Sequence, residues 1–256
     1  MTPIIKGDFF RLGKSKQGRS LLMTALFISV LFTVLIHQEI RFGIIIFESE
    51  TNFKSVWDIF ELGLAHQKIL GIFVAIMIAG FIGQEYQWHT WQQKWLAGYS
   101  RSRIYLSKVL LSITLSVGLF FLFEMTTFLL SGALAITWTG NFWLLLVGGC
   151  FIYATLGSSL CLIAMLIKQS FAATLACLGF VMFGEMLLMV VHQLARFSEI
   201  LAQVAKWLTK HSLYGMAQTM QGNISVQDVF SVAVTGMGIM MLTTIIGIAV
   251  FRHYEL

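Results

Sequence analysis

The sequence predicts an all-α integral membrane protein of six transmembrane helices. Three observations carry this. Of the 256 residues, 57% are hydrophobic and 11% are charged, less than half the charged share of an ordinary soluble domain. The apolar residues fall into six runs, near 21–36, 69–83, 109–136, 142–167, 171–191 and 229–251. The one proline is Pro3, so nothing along the runs interrupts a helix.

A span needs about 20 residues at a rise of about 1.5 Å. The last four runs meet this length. The first reaches it by extending into Ser20 and His37. The second reaches it by extending back through Gln67 and Lys68, with the lysine snorkelling toward the membrane surface. The N-terminal basic stretch and first run resemble a signal peptide. His37, Gln38, Glu39, Ile40, Arg41, Phe42 and Gly43 follow, without a small-residue cleavage pattern, so the run reads as a retained span.

Lys and Arg set the orientation. With the N-terminus inside, eleven of the 17 fall inside: Lys6, Arg11, Lys14, Lys16, Arg19, Lys94, Arg101, Arg103, Lys108, Lys168 and Arg252. Six fall outside: Arg41, Lys54, Lys68, Arg196, Lys206 and Lys210. This predicts both termini in the cytoplasm of a multi-pass cell-membrane protein. Residues 1–19 place Ile4, Ile5, Phe9 and Leu12 near helical spacing among basic residues, as an amphipathic helix on the membrane surface would. Residues 38–68 read as a polar, net acidic outer loop. In 192–228, Leu194, Phe197, Leu201, Val204 and Leu208 step by three and four. They predict an amphipathic helix that lies on the outer surface or caps the bundle. No separate soluble domain is evident, so 1–256 forms a single transmembrane unit.

Residues 80–108 are the most informative. Glu85 sits where the second run ends. Trp88, Trp91 and Trp95 follow at steps of three and four, so one helix would place them on one face, with Gln92, Gln93 and Lys94 around it. Gly98 is positioned to end that helix. Read without further context, these are interfacial aromatics and topology-setting cations. Their order, however, resembles the type-2 ABC transporter permease family. That family has a Glu after the second span, a Thr five residues on, a short helix, then Ser-Arg before an aliphatic-Ser-Lys entry to the third span. Here these are Glu85, Thr90, Ser100-Arg101 and Leu106-Ser107-Lys108. His89 stands where the family often has Gly, and Gly98-Tyr99 where it often has Pro. The resemblance implies that 84–104 is a cytoplasmic coupling loop. Glu85, Trp88, Thr90, Trp91, Lys94, Trp95 and Arg101 would dock on a separate ABC ATPase. It also implies a second permease copy or sister permease, ATP-Mg bound by the partner and not by this chain, and export of an amphipathic or hydrophobic substrate such as an antimicrobial peptide, toxin or drug.

The chain itself offers no nucleotide site. Gly13-Lys14-Ser15 ends like a phosphate-binding loop, but five residues, not four, separate Gly7 from Gly13, and no strand precedes them. The six histidines are scattered without metal-ligand spacing. Cys150, Cys161 and Cys177 all fall in apolar runs and read as small buried hydrophobes. No catalytic constellation, cofactor site or metal site is visible. Asn223-Ile224-Ser225 fits a glycosylation sequon on the outer side.

Two carboxylates, Glu124 and Glu185, lie within apolar runs. An acidic residue at mid-bilayer costs on the order of 3 kcal/mol, so each should face the bundle interior or a wet cavity. They could line a pathway or titrate in it. They could equally join helices through hydroxyl neighbours such as Thr126, Thr127 and Ser131. In the pathway role they support a different class of function, an ion-coupled secondary transporter or channel. A non-transporting scaffold also remains open. Ala75, Ala79 and Gly83 place a small residue at every fourth position of the second span, which permits close helix packing, within the chain or between permeases.

Overall fold

The computed structural model describes residues 2–38, 40, 42–46, 49–53, 55–131, 140–222 and 224–253. It is helical throughout apart from one short hairpin. The chain runs through α1 (Thr2–Lys14), α2 (Lys16–His37), β1 (Phe42–Ile46), β2 (Ser49–Phe53), α3 (Val56–Leu64), α4 (Leu70–Gln87), α5 (Thr90–Leu96), α6 (Arg101–Leu130), α7 (Gly140–Leu166), α8 (Ser170–Leu194), a 3-10 turn (Ala195–Phe197), α9 (Glu199–His211), α10 (Leu213–Thr219) and α11 (Val226–His253). Five helices, α2, α4, α6, α7 and α11, are long and apolar enough to cross a membrane. A sixth span exists if Ser170–Gly184 and Met186–Phe197, bent by 52°, count as one. By length and composition these are the helices of a membrane protein.

The boundaries differ from the sequence expectation in instructive ways. α2 does extend through Ser20 and His37. α4 does not extend back through Gln67 and Lys68. It starts at Leu70 and gains its length at the other end, past Gly83 to Gln87. α6 begins at Arg101, well ahead of its apolar run, because Ile104, Tyr105, Lys108 and Val109 are buried by neighbouring elements and not by lipid. The end of the run at 109–136 lies partly outside the described residues, as does Asn223 of the sequon.

α7 and α4 form the centre. α7 packs on α6, α11, α4 and α8, and α4 packs on α8. Small and hydroxyl residues bring these helices together, as they do in lipid-embedded bundles. Ser29 of α2 donates to the Phe123 carbonyl at 3.2 Å and shares a 2.9 Å hydrogen bond with Thr127. Tyr86 donates to the Met165 carbonyl at 3.0 Å, and Thr243 of α11 to Ser158 of α7 at 3.2 Å. Ala75, Ala79 and Gly83 are all buried within the chain. Cys161 and Cys177 are buried, Cys150 is half-buried, and all three are free.

The segment expected as a polar outer loop is mostly structured. β1 and β2 pair antiparallel from Phe42↔Phe53 to Ile46↔Ser49. α3 then enters the bundle, where Ile59, Phe60 and Leu64 are fully enclosed. Its Gly63 lies against Glu124 so closely that a Cβ would fall 1.9 Å from Oε1, and the Gly63 carbonyl accepts from Tyr153 at 2.6 Å. The stripe expected in 192–228 is broken: Leu201, Val204 and Leu208 fall in α9, but Leu194 belongs to α8 and Phe197 to the 3-10 turn, with Ser198 extended between. In α9, Ile200, Leu201, Val204 and Trp207 are exposed and only Ala205 is buried. Its apolar face is therefore turned away from the rest of the chain.

A Cβ at Gly83 would meet the Ser170 Cα of α8 at 2.6 Å. Gly83→Leu should therefore force α4 from α8 and cost about 1–3 kcal/mol. Gly118→Leu, at a position with open space within 4 Å, should cost little. Denaturant unfolding in detergent compares them, and equal losses would show that the α4–α8 approach is not tight.

Candidate functional site

The site lies at the end of the bundle where α1 and α5 meet. Its frame is the reversal from α4 to α6. Trp88 caps α4, its N–H donating to the Gln84 carbonyl, and His89 adopts a left-handed conformation at φ 52°. This turns the chain, and α5 starts anew at Thr90, whose hydroxyl donates to the Glu85 carbonyl at 3.3 Å. Gly98, at φ +83°, closes α5. Its N–H donates to the Trp95 carbonyl and that of Tyr99 to the Lys94 carbonyl, a Schellman motif that needs glycine at the left-handed position.

Five charged side chains from four helices converge on this frame. Glu85 Oε1 of α4 lies 2.5 Å from Lys108 Nζ of α6, 3.0 Å from Arg11 Nη1 of α1 and 3.1 Å from Lys94 Nζ of α5. Asp8 of α1 bridges the same two lysines, with Oδ2 at 2.6 Å from Lys108 and Oδ1 at 2.8 Å from Lys94. Glu85 and Lys108 are fully buried and Asp8 nearly so. Arg11 also donates to the Phe81 carbonyl at 3.0 Å. Aromatic rings form the floor. Lys108 Nζ lies 5.5 Å from the Trp91 ring and 5.2 Å from that of Phe81, and the Arg11 guanidinium lies 4.0 Å from Phe81. Trp91 also packs on Tyr86 and on Phe251 near the end of α11.

Electrostatics follow from this crowding. Burial pushes the Asp8 carboxyl up, but the Lys108 and Lys94 ammoniums outweigh burial and hold it below the usual carboxylate range. Burial likewise pushes Lys94 down, but Glu85 and Asp8 outweigh it and raise it. The group is a structural junction that locks α1 and α5 to the ends of α4 and α6. Among the described residues no group of three or more His, Cys, Asp or Glu side chains is placed to hold a metal.

The three tryptophans do not share one helix face. Trp91 is 2% exposed, Trp88 59% and Trp95 49%. The left-handed residue at His89 detaches Trp88 from α5, leaving it on the α4 cap. Arg101 points elsewhere again. It donates to the Arg252 carbonyl at 3.1 Å and lies 5.6 Å from the Trp95 ring, tying α6 to the end of α11. Asp8 and Arg11 were not expected in the site. Asp8 is the one acidic residue in the first 38, and its place one turn after the buried Ile4 was the available signal.

Glu124 is fully buried, and neither of its carboxyl oxygens has a hydrogen-bonding partner. Joining through neighbouring hydroxyls is not what the structure shows. Thr126, Thr127 and Ser131 donate to the carbonyls of Leu122, Phe123 and Phe128. Nor is Glu124 central. α6 ends at Leu130, so Glu124 sits about 9 Å along the helix from that end at the usual helical rise. Glu185 falls within α8, but its side chain lies outside the described residues. No family model matches the chain, and no curated protein matches it either.

Removing one partner of a buried ion pair strands the other. Lys108→Met should cost about 3–5 kcal/mol. The double variant Glu85→Gln with Lys108→Met should lose less than the two single losses summed. Strict additivity in unfolding experiments would show that the pair does not couple.

The pH dependence has a definite sign. Asp8, lowered in the folded state, stabilises fully above its unfolded value of about 3.9 and loses this as pH falls through the lower folded value. Lys94, raised, stabilises fully below about 10.4 and loses this as pH rises through the higher folded value. Thermal stability should be level with respect to these groups from roughly pH 5 to 9. Asp8→Asn should flatten part of the acid limb. An unchanged limb would remove Asp8 from the stability account.

Proposed function

We propose that the chain is the membrane-spanning permease subunit of an ATP-driven exporter, served by a separate cytoplasmic ATPase. The observation that carries this reading is the two-sided character of α5. Its inner side is bound through Trp91 and Lys94 to a buried ionic junction. Its outer side, with the adjoining α4 cap, presents Trp88, Trp95 and the 82%-exposed Leu96. A rigidly held element with exposed aromatic and aliphatic groups is what a partner needs in order to grip and move a bundle. A push on α5 would pass through Lys94 to Glu85 and Asp8, and from there to Lys108, reaching α4, α6 and α1 together. The ordered set Glu85, Thr90, Ser100-Arg101 and Leu106-Ser107-Lys108, which resembles the type-2 ABC permease pattern, supports the same reading. The distribution of Lys and Arg supports a cytoplasmic position for this end.

In this mechanism the permease performs no bond chemistry. It pairs with a second copy or a sister permease, and ATP binding and hydrolysis on the partner bias two arrangements of the joined bundles. The substrate is amphipathic or hydrophobic. The competing reading is an ion-coupled transporter using Glu124 and Glu185. The close cover of Gly63 over Glu124 favours the exporter over this alternative.

The test is co-purification of a tagged chain from gently solubilised membranes. Wild type should retain a nucleotide-binding protein in stoichiometric amount. Trp95→Ala and Leu96→Ala should lose it with unfolding stability unchanged. Glu85→Ala should lose both. If no ATPase is retained in any nucleotide state, and vesicles transport without ATP in a manner abolished by Glu124→Gln, the ion-coupled reading replaces this one.

A further inference from the structure

A cavity of about 340 Å³ lies over α7 between α8 and α11. Phe180, Val181, Leu187 and Leu188 of α8 form its apolar wall, with Leu213 of α10 and Ile239 of α11 opposite. His66 and Gln67, from the turn between α3 and α4, also line it. His66 Nδ1 and Gln67 Oε1 are both buried, and neither has a hydrogen-bonding partner. Buried polar atoms are ordinarily satisfied, so two orphans lining one cavity call for an occupant.

The His66 backbone is fixed. Its N–H donates to the Leu64 carbonyl at 2.8 Å, and Gly71 lies so close that a Cβ would fall 1.7 Å from the His66 carbonyl oxygen. Burial pushes the imidazole down to about 4, so it is neutral near neutral pH and offers one donor and one acceptor nitrogen. Gln67 Oε1 only accepts. Of the hydroxyls at the wall, Ser159 donates to the Thr155 carbonyl and Ser212 to the Thr209 carbonyl, while that of Tyr214 accepts from the Gln218 amide at 2.8 Å. Among the described residues no Asp, Glu, Lys or Arg lines the cavity, so a charged head group would find no counter-ion among them.

We propose that this cavity binds a small neutral amphiphile, whose hydroxyl or amide N–H donates to Gln67 and hydrogen-bonds His66 while its hydrocarbon part lies along α8. The volume sits at the low end of small-molecule sites, about 300–1,000 Å³, which suits one medium-length chain. The occupant comes either from the bilayer or from solution. This inference is independent of ATPase docking, because binding is read on the permease alone.

The test uses the full chain in phosphatidylcholine nanodiscs, whose head groups carry no hydrogen-bond donor. A decanol carrying a diazirine on its chain is photolysed and its adducts are mapped by mass spectrometry. Labelling should saturate and fall on 180–191 and 213–214. Unlabelled 1-decanol should compete about tenfold better than decyl methyl ether, which keeps the chain and loses the donor. His66→Phe with Gln67→Leu should weaken labelling by a similar factor or more, whereas Ser159→Ala should not. Native mass spectrometry of the chain taken directly from cell membranes assigns the source. A retained hydroxyl- or amide-bearing lipid, lost in the His66→Phe variant, identifies the bilayer. Saturable decanol binding without one identifies solution. Competition by the ether equal to that by the alcohol overturns the proposal on wild-type protein alone, whatever the variants' folding. Labelling that does not saturate overturns it too.

Discussion

The contact between Glu85 and Lys108 is the constraint on which the rest of this end of the molecule depends. Both side chains are fully buried, and each gives the other its shortest ionic contact, at 2.5 Å. Their pairing fixes the last turn of α4 against the first third of α6. That leaves room above them for α5 and α1 to close the site with Lys94, Asp8 and Arg11. Three cations face two carboxylates, so the junction is held by an uneven sharing in which Glu85 Oε1 serves all three cations and Asp8 serves two. Hydrogen-bond geometry and the aromatic floor of Trp91 and Phe81 offset the desolvation of so many charges.

The opposite end uses different physics. α3 is inserted through apolar packing, with Phe60 against Phe142 at 5.1 Å and a glycine where it meets Glu124. Ions hold the α1–α5 end together, and close packing with hydroxyl-to-carbonyl bonds holds the α3 end. In the proposed mechanism a partner would move the ionic end while the other end stays packed. The cavity between α8 and α11 belongs to neither region. It lies where α8 leans on α4 and α7 without α11 closing over it, and its two unsatisfied polar atoms come from the turn that follows α3.

Much of this was legible in the chain. Hydropathy marked each long helix, because a span must satisfy its backbone internally and cover itself with apolar side chains. Gly98 announced the end of α5, since few other residues take a positive φ cheaply. The left-handed His89 was not legible, and it separates Trp88 from Trp91. The helical spacing of the tryptophans assumed a continuity that one backbone torsion removes. α3 was missed because its nine residues are too short for a span and lie beside acidic and polar ones. Only the approach of α6 and α7 shows that Ile59, Phe60 and Leu64 are buried.

The sequence by itself determined the membrane class, the approximate spans, the short helix between α4 and α6, and the place of Glu85 where the second apolar run ends. These follow from local composition, periodicity and charge, which act over a few turns of chain. The tertiary structure alone decided that Asp8 and Arg11 join Glu85 from more than 70 residues away, that Trp91 is buried while Trp95 is half exposed, and that Glu124 sits beneath α3. The physical reason is that a buried charge is placed by its partner's position, and that position depends on how separate helices pack. Periodicity along one helix indicates which face is apolar, but it does not say what will lie against that face.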